Sequence, residues 1–156
     1  EQYLKAYEYN NEDVYIIEGI ARSYMQLDDF KNAEKYFNRA IKLYPEFAPS
    51  YANLGVFYDR QKDYDNAIKY YKKLKKYYKD NPESYYGLSR MYIFKEDYNA
   101  AADNIMKAYK LYVKMESPYK ADAEQILSLI YKTMEEKGMK NEFLEIAKDN
   151  NLNIVN

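Results

Sequence analysis

Between Ser50 and Lys79 the apolar positions fall at helical spacing in two blocks with a short polar break between them. Tyr51, Leu54 and Tyr58 lie on one stripe of a first helix, because residues three and four apart share a helix face. Polar residues then interrupt the pattern through Lys62-Asp63. A second stripe resumes through Ala67 and Tyr71. The pattern predicts two short amphipathic helices joined by a tight turn. Asp63, just before the second stripe, is placed to accept the free N–H groups of that helix's first turn. Ala67 falls where the two helices would cross, and a larger side chain there would force them apart.

The same pattern recurs 34 residues away in both directions. Asp29, Asp63 and Asp97 stand in one register, as do Ala33, Ala67 and Ala101. So do Tyr24, Tyr58 and Tyr92; Ile20, Leu54 and Leu88; and Phe37, Tyr71 and Ile105. The small residues Ala21, Gly55 and Ser89 keep the same step and would let the paired helix approach closely. A single helix pair leaves an apolar face uncovered, so such pairs must stack on one another. The expected fold is therefore all-α, an array of antiparallel helix pairs.

These residues carry a resemblance to the tetratricopeptide repeat (TPR) family: the 34-residue period, the Leu54-Gly55-x-x-Tyr58 core, the Asp63-Tyr64-x-x-Ala67 turn and Pro45 closing the first unit. It runs closely from about Val14 to Met115. One departure is that the family's turn glycine is replaced by Asp28, Lys62 and Glu96. The resemblance implies a right-handed superhelical solenoid with repeat units over 14–47, 48–81 and 82–115. Residues 1–12 read as the second helix of a truncated preceding repeat, which makes the chain look like a fragment of a longer array. After Lys110 the period slips, so an irregular C-terminal helix pair or cap is expected over 116–149. A long helix from about Tyr119 to Lys137 should end at Gly138. A frayed polar tail is expected over 150–156.

The resemblance further implies that the leading helices line a concave groove for a partner peptide. The residues it places there are Tyr15, Glu18 and Arg22 in the first unit, Asn53, Val56 and Arg60 in the second, and Tyr86, Arg90 and Phe94 in the third. Three of the chain's four arginines are among them, against twenty lysines almost all elsewhere. Arginine's planar fork suits carboxylates and peptide carbonyls; the alternative is that these arginines pair with Glu18, Asp59 and Glu83 to brace adjacent helices. Asn53 is the leading candidate, since an Asn at that place in the family often hydrogen-bonds a bound peptide's backbone. Family members that clamp the carboxylate of chaperone tails are not matched. The corresponding places hold Glu18, Arg22, Asn53, Glu83 and Gly87, of which only Asn53 agrees.

Composition changes this picture little. Twenty-four basic and 25 acidic residues nearly cancel, so bulk charge recommends neither nucleic acid nor an anionic membrane. With no Cys and no His, no disulfide, thiolate zinc site, Cys nucleophile or His base can form. No catalytic residue, metal site or cofactor is expected, and no membrane span or signal segment stands out; the compartment stays open. The 22 tyrosines read mainly as filler for a thin solenoid, ring inward and hydroxyl outward. The run Lys69, Lys72, Lys73, Lys75, Lys76 and Lys79 reads as a solvated outer face. The abundance of Lys, Asn, Tyr and Ile is of the kind AT-rich genomes encode. The expected role is a protein–protein interaction module. The alternatives are a structural spacer or a self-assembly segment that associates through its end helices, or an accessory domain of an enzyme.

Overall fold

A computed structural model describes residues 2–152 of the chain. The described residues form α1 (Gln2–Tyr9), α2 (Val14–Gln26), α3 (Phe30–Leu43), α4 (Ala48–Arg60), α5 (Tyr64–Tyr77), α6 (Pro82–Phe94), α7 (Tyr98–Lys114), α8 (Lys120–Glu136) and α9 (Lys140–Asp149). No strand occurs among them. The packing divides the chain into two compact units, Glu1–Lys73 and Leu74–Asn156, with the division falling inside α5.

The interhelical turns follow one design. Asp28, Lys62 and Glu96 adopt left-handed backbone angles, with φ of 56°, 59° and 58°. In each case the next residue's N–H reaches back five residues, from Asp29 to the Tyr24 carbonyl, Asp63 to Tyr58 and Asp97 to Tyr92, at 2.9–3.0 Å. This satisfies the last carbonyls of the leading helix. The same aspartate then opens the second helix. Asp29 and Asp63 accept from the N–H groups of Asn32 and Asn66, both at 3.1 Å, and Asp97 from that of Ala100 at 3.0 Å. One left-handed residue and one capping aspartate therefore suffice to reverse the chain. Because that turn does not need Gly to form, the departure from the family's glycine alters strain and not topology.

In the first unit α2 packs on α1, α3 and α4. Val14, Ile17 and Ala40 form a buried cluster against Tyr7, Tyr36 and Phe47. Ala33, Phe37, Leu54, Phe57 and Ala67 are fully buried or nearly so. Phe57 receives the edges of Phe30 and Phe37 at 5.8 and 5.9 Å. The Arg39 guanidinium lies over the Tyr7 ring and donates to the Asn11 carbonyl at 3.0 Å, tying α3 to the α1–α2 turn.

In the second unit α6, α7, α8 and α9 share one core built around Ala101, Ile105, Ala108, Ile130, Met134 and Phe143. α8 stops at Gly138, whose φ is +75°. The sequence predicts a frayed tail over residues 150–156, but Asn150 is buried. Its amide donates to Asp103 and to the Ile146 carbonyl, and Lys110 donates to its carbonyl at 2.8 Å. Residues 153–156 of that tail lie outside the described residues.

Candidate functional site

The leading helices α2 and α4 of the first unit bring three of the expected site residues together. Glu18 on α2 is buried, and its carboxylate accepts from the Ser50 hydroxyl and, at 2.5 Å, from the Asn53 amide nitrogen. Burial pushes the Glu18 carboxyl above its ordinary value. The two hydrogen bonds and the charge of Arg22 pull it back in part. A carboxylate with two donors and a nearby guanidinium is a matched set, because ionised Glu only accepts. Asn53 thus turns its nitrogen inward and leaves its oxygen as the acceptor half.

The remaining residues of this unit divide by role. Arg60 donates to the Met25 carbonyl and to Asp28, both at 3.0 Å, closing α4 onto the end of α2. These two bonds brace α4 against α2, with Asp28 as the acidic partner. Tyr15 is 71% exposed and meets the Phe47 edge at 5.3 Å. Val56 is 41% exposed on the same helix as Asn53.

In the second unit Tyr86 is half-buried against the ring of Tyr112 at 6.4 Å, with an interplanar angle of 69°. Tyr112 is buried, and its hydroxyl donates to Glu83 at 2.8 Å. Desolvation, and then that bond to Glu83, hold the Tyr112 hydroxyl firmly in its neutral form. The charge of Arg90 reaches Tyr86, and Phe94, one helical turn further, is 51% exposed.

Other sequence features resolve into packing. Tyr44, Tyr51 and Tyr85 each donate the hydroxyl to a backbone carbonyl, those of Glu12, Pro45 and Lys79. Tyr58 stacks on Tyr70 at 5.4 Å and donates to Glu34. The lysines of α5 are mostly exposed, with Lys69 and Lys73 resting over the Tyr70 ring. Among the described residues no set of three or more acidic side chains is arranged to hold a metal, and no helix is long and apolar enough to cross a membrane.

Two tetratricopeptide repeat models match the sequence, one over residues 19–85 and one over 82–112. The chain belongs to the tetratricopeptide repeat family. Its fold is that of TPR solenoid proteins. The TPR2B domain of yeast Sti1, in its complex with pHsp70, superposes with a TM-score of 0.72 at 17% identity, over 77% of this chain and 97% of that one. MamA superposes with the same score at 20% identity, over 95% and 82%. The Cut9–Hcn1 structure gives 0.75 at 18% identity, over 94% of this chain and 29% of that one. No curated protein sequence matches the chain. As a TPR protein the chain is a protein–protein interaction module.

Several residues of these surfaces were out of reach of the repeat register. Ser50 completes the Glu18 set from another helix, 32 residues away. Phe47 under Tyr15 lies in a loop before α4. Tyr112 keeps the 34-residue step with Tyr44 and Tyr78, but its neighbour Tyr119 comes where that step has slipped.

Proposed function

We propose that the TPR module binds an extended segment of a partner protein along the inner faces of its leading helices, and that it does so without catalysis. The observation that carries this is the exposure of apolar and aromatic side chains on the leading helices within each unit: Tyr15 on α2 and Val56 on α4 in the first, Phe94 on α6 in the second. Interfaces draw their affinity from aromatic anchors of this kind. Asn53, held by Glu18, supplies an oriented amide beside them. The absence of His and Cys from the sequence removes the commonest general base and the thiol nucleophile, which supports a non-catalytic role. The Sti1 neighbour is a complex with pHsp70, which fits partner binding by this fold. Glu18 and Glu83 argue against the chaperone-tail carboxylate as the ligand here.

The spacer or self-assembly reading draws less support. The outward positions of α8 and α9 carry Glu124, Gln125, Lys132, Glu142, Glu145 and Lys148, all exposed, and a charged surface suits a capped end.

The test is selection from a displayed library of random peptides, followed by rebinding to variants. Tyr15→Ala with Val56→Ser, or Phe94→Ala, should abolish rebinding while the helical circular dichroism signal is unchanged. Lys72→Ala with Lys76→Ala on α5 should leave it intact. Peptides that bind equally to the inner-face variants would refute the groove.

A further inference from the structure

Where α6, α7 and α8 of the second unit pack together, their side chains form a surface with a distinct chemistry. Tyr112 is its buried floor, and the rings of Tyr86 and Tyr119 meet it at 6.4 and 6.1 Å. Tyr119 is 57% exposed. Two exposed carboxylates, Glu83 and Asp122, stand close enough for their charges to act on both Tyr86 and Tyr112, while one guanidinium, Arg90, acts on Tyr86. Glu83 and Asp122 lie in the first turns of α6 and α8, where the helix dipole favours a negative charge. That accounts for the carboxylates but not for the tyrosines gathered around them.

Ring faces carry the negative end of an aromatic quadrupole, and carboxylates only accept hydrogen bonds. A surface made of both attracts a cation on an apolar stem and repels an anion. We infer that the Tyr86–Tyr112–Tyr119 surface, rimmed by Glu83 and Asp122, seats a lysine or arginine side chain of the bound segment. This rests on the groove reading above and assigns its partner a class: a segment with a basic residue, not an acidic tail.

The probe is the peptide acetyl-Ala-Ala-Lys-Ala-Ala-amide, with norleucine or glutamate in place of lysine as controls, titrated into the whole chain and followed by amide NMR shifts. The lysine peptide should shift amides at the start of α6 and across Tyr119–Asp122. The norleucine peptide should bind roughly tenfold more weakly, and the glutamate peptide weaker still. Asp122→Asn and Tyr119→Leu should each weaken the lysine peptide several-fold, whereas Tyr119→Phe, which keeps the ring face, should retain it. Equal binding of the lysine and norleucine peptides, shifts scattered over the acidic surface, or indifference to Tyr119→Leu and Asp122→Asn would overturn the inference. Library peptides that bind the inner faces but lack basic residues would overturn it while leaving the groove standing. A library without inner-face binders would overturn the groove, and this inference with it.

Discussion

Gly55→Ala tests how tightly the repeat core is built. A Cβ added at Gly55 would fall 2.5 Å from Tyr71 Cε1, 2.6 Å from Cζ and 2.9 Å from Cδ1. Carbon atoms sit comfortably at about 3.5–4.0 Å, so the ring would have to move by about 1 Å. It has no room to do so, because Tyr71 is only 4% exposed and the contact is with a whole ring edge, not a flexible tip. Overpacking of this kind costs about 1–3 kcal/mol, and alanine in a helix recovers about 1 kcal/mol over glycine. With the ring held in place the upper part of that range applies, about 2–3 kcal/mol, so the expected net loss is about 1–2 kcal/mol, a fall in Tm of roughly 2–8 °C for a chain of this size. Gly19 gives the contrast. A Cβ there would come closer still to the ring of Tyr3, but Tyr3 is 43% exposed and can swing outward. Gly19→Ala should therefore be neutral or stabilising by up to about 1 kcal/mol. Adding Tyr71→Ile to Gly55→Ala imitates the Ser89 and Ile105 residue types one period on, and the double variant should lose less than the sum of the singles. Urea unfolding followed at 222 nm, with hydrogen exchange of α4 amides because repeat arrays can unfold locally, measures all four. Wild-type stability for Gly55→Ala, or equal damage from Gly19→Ala, would refute the reasoning.

Three further outcomes are expected. Lys62→Gly and Glu96→Gly relieve left-handed strain at φ near 59° and should each raise stability by about 0.5–1 kcal/mol, read from urea midpoints; the same change at Asp28 should gain less, because it also removes the Arg60 partner. Asp63→Ala removes the oxygen that accepts from the Asn66 N–H and should lose about 1 kcal/mol; an unchanged midpoint would discount the cap. Burial raises the Glu18 carboxyl above its unfolded value, so the folded chain holds that proton more tightly. Stability from this group is fully present below the unfolded value near 4.5 and is lost as pH rises through the raised folded value. Comparison with Glu18→Gln across that window should show a wild-type stability that falls more steeply with rising pH.

The sequence by itself determined the repeat and its register. The 34-residue step, the Asp-aromatic-x-x-Ala turn and the small residues at Ala21, Gly55 and Ser89 are local or periodic signals, and helix pairing follows from them because each amphipathic stripe needs a partner at fixed spacing. The capping roles of Asp29, Asp63 and Asp97 were legible for the same reason, since a cap acts within three residues. The chemistry of the inner faces was not. Asn53 could be placed on a leading helix, but only tertiary packing puts Glu18 and Ser50 against one another and turns the Asn53 nitrogen inward. Arg60 could be read as a ligand for a carboxylate, as a brace or as both, and only the fold shows the Met25 carbonyl and Asp28 within its reach. Tyr112 keeps the 34-residue step with Tyr44 and Tyr78, but Tyr119 and Asp122 lie where the period has slipped, and the meeting of Tyr119 with Tyr112 depends on how α7 and α8 pack. Periodicity fixes which side of a helix a residue lies on; hydrogen-bond polarity and charge at a surface depend on atoms from different helices converging within about 3 Å, and only the folded arrangement supplies that.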